Sequence, residues 1–246
     1  NNKLINEVKL QEKEIWELAS KIWKLSELSL EERDSSALSA KYLEDQGFNI
    51  SDRGIGGLNY SWVATWGSGK PTIGFTVEFD ALPGLGNEIV SKKTPRKDGN
   101  HNGHGCGHNL IGSGAICAAV ALKNYLAKNS INATIKVFGC PAEEVIVGKN
   151  FMAMAGAFDS LDACLHWHPY SKTTVWNTHT VAVNTLSVEF FGKASHAGMS
   201  PWNGRSAAHA TEIFLHGINT MREQMLPEGR VHYLVEKSGE AVNVIS

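Results

Sequence analysis

Between residues 4 and 25 the apolar positions Ile5, Val8, Ile15, Leu18, Ala19 and Ile22 recur at helical spacing, which predicts an amphipathic helix. A second helix is predicted over residues 35–46, stopped by Gly47. The period then shortens. "YSWVATW" (60–66) reads as a strand, "GSGKP" (67–71) as a turn and "TIGFTVEFDALP" (72–83) as an apolar strand ending in Asp80. "LIGSGAICAAVALKNYLA" (110–127) is helical, and "ATIKVFGCPAEE" (133–144) is a strand running into Glu143 and Glu144. A short helix over 150–157 and a strand "ACLHWHP" (163–169) follow. Strands alternating with helices predict an α/β fold, a mainly parallel sheet flanked by helices. Asp80, Glu143, Glu144 and His168 all fall at strand ends, where open α/β sheets place their ligand sites.

Near residue 175 the texture changes. "TVAVNTLSVEFFG" (180–192) alternates like a half-exposed strand, "HAGMSPWNG" (196–204) is a loop, and "RSAAHATEIFLHGINTMREQM" (205–225) is an amphipathic helix. Its apolar side, Ala208, Ile213, Leu215, Ile218 and Met221, suits a domain core or a partner. "RVHYLVEKSG" (230–239) is strand-like again, and "AVNVIS" (241–246) starts a further strand. Residues 1–178 therefore read as one domain and 179–246 as part of a second, α+β domain.

Composition narrows the classes. With 246 residues, 42% hydrophobic, the chain can bury one full core and part of a second. A net charge of -2 argues against nucleic acid as a partner. Four cysteines in a chain this rich in apolar residues suggest reduced thiols and a cytoplasmic protein. The first residues lack a signal-like apolar core and no uninterrupted apolar run reaches membrane length, so no membrane association is expected. "SKKTPRKDGNHNGHG" (91–105) reads as a solvated polar loop with local positive charge.

The chemistry sits in four islands. In "GHGCGHN" (103–109), Cys106 and His108 can reach one ion if the backbone between them is held tightly, and Gly107 permits unusual dihedrals. A buried cysteine beside a surface histidine is the plain alternative. In "PAEE", two carboxylates follow an apolar strand, where an unpaired carboxylate would be costly. Adjacent side chains in extended geometry point opposite ways, so one can hold an ion while the other takes a proton from the attacking water. "HWHP" offers His166 and His168 on one side of a strand, one to ligate and one to line the pocket. Asp80 suits a group that orients a ligating imidazole through its far nitrogen. Thiol catalysis by Cys106 with His108 as base is a poorer reading, since two residues apart on a tight loop suits shared coordination better.

"EFDALPGLG", "GHGCGHN", "GCPAEE", "HWHP" and "FFGKASHAGMSPWNGRSAAHA", in that order, resemble the metal-dependent amidohydrolases of metallopeptidase family 20. The chain is most similar to the family's p-aminobenzoyl-glutamate hydrolase and aminoacylase-like branch. The resemblance implies a zinc-peptidase-like catalytic domain interrupted by a ferredoxin-like lid or dimerisation domain, with two divalent metal ions, zinc or manganese. It implies Cys106, His108, Glu144 and His168 as ligands and Glu143 as general base. Many relatives would place the ligand at His166 instead; this branch places it immediately before proline, at His168. Asn109 stands where many relatives carry aspartate and is given no catalytic role. His196 matches a histidine that reaches the site of a neighbouring protomer and stabilises the oxyanion. The implied substrate is a small acyl-amino acid, such as p-aminobenzoyl-glutamate, another N-acyl amino acid or a dipeptide. Implied partners are a second copy, forming a homodimer through the lid domain, and a second, different hydrolase subunit. Relatives continue further, to a last histidine ligand and the groups that hold the substrate carboxylate, so the chain reads as C-terminally truncated. The alternative is a fragment that folds or associates without turnover.

Overall fold

A computed structural model describes residues 2–145, 147–175 and 181–246, which fall into two compact units, Asn1–Thr173 and Thr174–Ser246. The expected domain boundary at 178/179 lies outside the described residues.

In the first unit, α1 (Asn2–Lys9), α2 (Glu12–Leu25) and α3 (Arg33–Asp45) precede β1 (Asn49–Arg53), β2 (Trp62–Gly67) and β3 (Thr72–Val77). Then come α4 (His108–Lys128), β4 (Thr134–Gly139), α5 (Gly148–Met154) and β5 (Ala163–Leu165). The helix expected over 4–25 is broken at residues 10–11, where the Gln11 side chain donates to Glu7 O of α1 and Cys117 O of α4. The sheet order is β1-β2-β4-β3-β5. Strands β4, β3 and β5 are parallel, while β2 pairs antiparallel with β4 and with β1, so the sheet is mixed.

Alternation along the strands fills both faces. Trp62, Ala64, Phe75, Val77, Ile135 and Val137 face α2, α3 and α4 with Ile22, Leu43, Ile116 and Val120. Val63 and Phe138 face the other way, onto Leu58, Met152, Phe158 and Leu161. Full burial of each such large side chain contributes about 1.5–3 kcal/mol. By length and apolarity alone α4 could cross a membrane, but more than half of it is buried, as suits the central helix of this core.

The pairing sets up the site. Strands β3 and β4 run in register from Thr72↔Thr134 to Val77↔Gly139, and β5 joins β3 with Phe75↔Leu165. All three strands leave the sheet at one edge, carrying Glu78–Asp80, Cys140–Glu144 and His166–His168 out side by side.

The polar loop over 91–105 is mostly exposed, as expected, but Arg96 anchors it on the end of α2. Arg96 is buried; it donates to Trp23 O at 3.1 Å, Lys24 O at 2.8 Å and Ser26 Oγ at 2.9 Å, and lies 4.5 Å from the Trp23 ring. The last carbonyls of a helix lack partners within it, and a guanidinium fork satisfies several at once.

The second unit contains β6 (Ser195–His196), α6 (Ala207–Met221) and β7 (Val244–Ile245), with β6 and β7 antiparallel. Ser206 caps α6 by accepting from His209 N–H. The expected strands over 180–192 and 230–239 form no ladder among the described residues, and residue 180 lies outside them. No described residue of this unit is buried; on the expected apolar side of α6, Ile213 is 73% exposed.

Candidate metal centre

Gly107, at φ 87°, turns the chain into α4, so His108 opens that helix rather than ending a loop. This left-handed conformation suits glycine. His108 is fully buried at the sheet edge, and its Nδ1 lies 2.8 Å from Asp80 Oδ1. Asp80 Oδ2 accepts from the Ser29 hydroxyl at 2.7 Å and from Glu144 N–H at 2.9 Å. Burial alone pushes the Asp80 carboxyl up, but the hydrogen bonds from His108, Glu144 N–H and Ser29 outweigh it and hold the group below its usual range. Asp80 thus orients the imidazole, with Nδ1 engaged and Nε2 turned into the site.

Around His108 Nε2 stand Glu78 Oε2 at 3.3 Å, Glu143 Oε2 at 3.5 Å and Glu144 Oε1 at 3.8 Å. None of these three contacts is a hydrogen bond. His108 Nε2, Glu78 Oε2 and Glu144 Oε1 are buried without a hydrogen-bond partner among the described residues. Burial lowers the proton affinity of His108, but Asp80, Glu78 and Glu144 raise it further, so positive charge is favoured here.

The carboxylates of Glu143 and Glu144 do not point opposite ways as an extended pair would. They lie in a turn after Ala142, whose φ is 58°, and both reach the same nitrogen. Their exposure differs: the Glu143 side chain is 37% exposed and that of Glu144 16%.

On the other side, Cys106 Sγ lies 3.2 Å from His168 Nε2. One candidate ligand group is Cys106, His108 and His168, and another is His108, Glu143 and Glu144; within each the ligand atoms lie inside 4.8 Å of one another. His166 has Nδ1 2.9 Å from Thr76 Oγ1 and Nε2 3.7 Å from Oε1 of Glu78, the carboxylate whose other oxygen faces His108. Between the two histidines, Trp167 donates to Ile111 O at 3.1 Å and lies over Gly114, where a Cβ would come within 3.0 Å of the indole. Burial, then Glu144 and Glu143, push the Cys106 thiol up to about 11. A thiol so placed is a poor nucleophile by itself, and its close imidazole is His168, which weighs against thiol catalysis with His108 as base.

These residues fit a divalent cation. Among the described residues three buried polar atoms without hydrogen-bond partners lie together, His108 Nε2 with Glu78 Oε2 at 3.3 Å and Glu144 Oε1 at 3.8 Å. The donor set mixes thiol, imidazole and carboxylate, as a transition-metal site does. Asn109 serves the scaffold, donating to Ala19 O at 3.2 Å.

His196, in the second unit, is exposed. Its Nδ1 accepts from the N–H groups of Gly198 and Met199, both at 3.1 Å, which leaves Nε2 as the protonated nitrogen.

Sequence reasoning passed over Glu78, Lys149, Ser29 and Glu32. Glu78 is 1% exposed and its Oε1 pairs with Lys149. Its signal was present: a carboxylate two residues before Asp80, at the end of an apolar strand, needs a cationic partner. Ser29 and Glu32 act across distances that no local pattern reveals.

The chain belongs to peptidase family M20/M25/M40, which residues 74–233 match. It is 39% identical to one of the two subunits of the p-aminobenzoyl-glutamate hydrolase of Escherichia coli (strain K12) over 223 residues, covering 91% of this chain and 46% of that protein. It is 30% identical to the Xaa-Arg dipeptidase of Mus musculus over 239 residues, 93% of this chain and 51% of that one. Its fold matches the crystal structure of an aminobenzoyl-glutamate utilization protein from Klebsiella pneumoniae with a TM-score of 0.59 at 20% identity, covering 99% of this chain and 66% of that one. The chain spans about half the length of the curated relatives it matches.

Proposed function

We propose that the protein forms the catalytic half of a metal-dependent hydrolase that cleaves the amide between an acyl or aroyl group and an amino acid. The observation that carries this reading is the buried His108 Nε2, without a hydrogen-bond partner among the described residues and ringed by three carboxylate oxygens. Relatives named for p-aminobenzoyl-glutamate hydrolysis and for dipeptides support p-aminobenzoyl-glutamate, another N-acyl amino acid or a dipeptide as substrate.

Cys106, His108, Glu144 and His168 would hold up to two ions, zinc or manganese. A bound cation polarises the substrate carbonyl and makes water easier to deprotonate. Glu143, the more exposed of the two carboxylates, is the general base: it takes the proton of the attacking water and passes it to the leaving amine. Asp80 keeps His108 in one tautomer and, through Glu144 N–H, fixes a second ligand. His196, with its proton on Nε2, is a fixed donor for a developing oxyanion and serves the site of the other protomer in a homodimer. The other subunit of the same Escherichia coli hydrolase is itself a relative, at 28% identity, which supports a second kind of hydrolase chain among the partners. Four free cysteines suit a reducing, cytoplasmic setting.

Elemental analysis and turnover test this reading. Protein purified without chelator should carry a transition metal that Cys106→Ser loses. In whatever length of chain turns over p-aminobenzoyl-glutamate, Glu143→Gln should keep its metal and lose about 10²–10⁴-fold in rate. His196→Ala should also keep metal and lose rate, and mixing the two inactive variants should restore part of it. Equal metal in wild type and Cys106→Ser would sink the ligand assignment. Loss of metal from Glu143→Gln would exchange the roles of the two glutamates. Bound metal with no turnover of any acyl-amino acid would favour the non-catalytic alternative.

A further inference from the structure

The turn carrying Glu143 and Glu144 is braced from beneath by a residue that takes no part in the chemistry above. Ala142 has φ 58°, a left-handed conformation that residues with a Cβ rarely adopt. Its N–H donates at 2.6 Å to Oε1 of Glu32, which lies 110 positions away in sequence. Glu32 is fully buried just before α3, and its Oε2 has no hydrogen-bond partner among the described residues. A buried carboxylate of this kind opposes folding unless what it holds is worth more. The connector between α2 and α3 also reaches the other strand exit. Ser29 donates to Asp80 Oδ2 at 2.7 Å, and Ala81 N–H donates to Glu27 O at 2.8 Å.

We propose that Glu32 is a positioning residue for the metal site: by accepting the Ala142 N–H it holds the left-handed turn that aims Glu143 and Glu144 together at His108. The inference rests on the reading of those residues as a metal site. A carboxylate suits the task because it is a strong, acceptor-only group for a backbone N–H. Without it, Ala142 relaxes to negative φ, the peptide that follows rotates, and the two carboxylates separate from His108 Nε2.

The test compares wild type, Glu32→Ala, Glu32→Gln, Ala142→Gly and the double variants of each Glu32 change with Ala142→Gly. Glu144→Gln serves as the site control. Zn2+ affinity is read by competition with a chromophoric chelator, and exchange of the residue 142 amide by NMR. Glu32→Ala should weaken Zn2+ binding about 10-fold or more and speed exchange of that amide. Glu32→Gln, which keeps an oxygen acceptor, should fall between Glu32→Ala and wild type. Ala142→Gly should restore most of the affinity to Glu32→Ala, since glycine adopts positive φ without steric cost. A general packing defect would not be rescued in that way. If Glu32→Ala does not fold, the same comparison is made with Glu32→Gln and its double variant. Wild-type affinity in the Glu32 variants, or no rescue by glycine, overturns the proposal. Failure of the metal reading looks different: wild type binds no Zn2+, or Glu144→Gln binds it as wild type does. That result removes the positioning role too, and unchanged amide exchange would separately show that no brace exists.

Discussion

Asp80 and Glu32 are both buried carboxylates, and the balance between burial and hydrogen bonding moves them in opposite directions. Asp80 has three donors and is held below its usual range, whereas burial outweighs the backbone hydrogen bonds of Glu32 and raises it to about 7 from 4.5. The folded chain therefore binds the Glu32 proton more tightly than the unfolded chain does. The contribution of Glu32 to stability is most favourable below pH 4.5, declines as pH rises towards 7 and stays reduced above that. Urea denaturation between pH 5 and 7.5 should show this decline in wild type and a flatter profile in Glu32→Gln. The same slope in both would mean that Glu32 does not titrate in this range. The sequence revealed Cys106, His108, Glu143, Glu144 and the histidine pair because each is a polar group in a place that suits neither core nor solvent. It did not reveal Glu32, since a glutamate before a helix looks like an ordinary capping residue until its distant partner is known.

At the scale of elements, legibility followed the range of the forces involved. Helices α3 and α4 and strands β2, β3 and β4 were visible because their burial repeats along the chain itself. The break between α1 and α2 depends on Gln11 reaching α4, and the alternating stretch 181–192 has no paired neighbour among the described residues, which is where a strand obtains its hydrogen bonds. Contact between α4 and the chain leaving β5 is of the long-range kind and makes a sharp prediction. Trp167 fits over Gly114, and a methyl group there would meet the indole at 3.0–3.3 Å. Gly114→Ala forces the indole, which is 43% exposed, to shift by a few tenths of an ångström, and this opposes the roughly 0.5–1 kcal/mol by which alanine is favoured over glycine inside a helix. Stability should change by about 1 kcal/mol or less, while the near-UV circular dichroism of the tryptophans changes. Because Trp167 stands between His166 and His168, the same variant should weaken Zn2+ binding. An unchanged spectrum with unchanged stability would show that the indole yields freely.

For the whole molecule, the uneven distribution of burial matters more than its sum. The first unit buries both sheet faces, while the second has no buried residue among those described. The heat absorbed per degree on unfolding reports newly wetted apolar surface, at about 12–15 cal/mol/K per residue in a well-packed domain. Scanning calorimetry of this chain should therefore give an increment near that of the 173 residues of Asn1–Thr173 alone, about 2.1–2.6 kcal/mol/K, rather than the roughly 3.0–3.7 kcal/mol/K due to 246 packed residues. An increment at the upper figure would mean that Thr174–Ser246 hides its apolar side chains in solution, against another copy or another partner. The heat capacity of unfolding thus becomes a gauge of whether the second unit has found something to cover it.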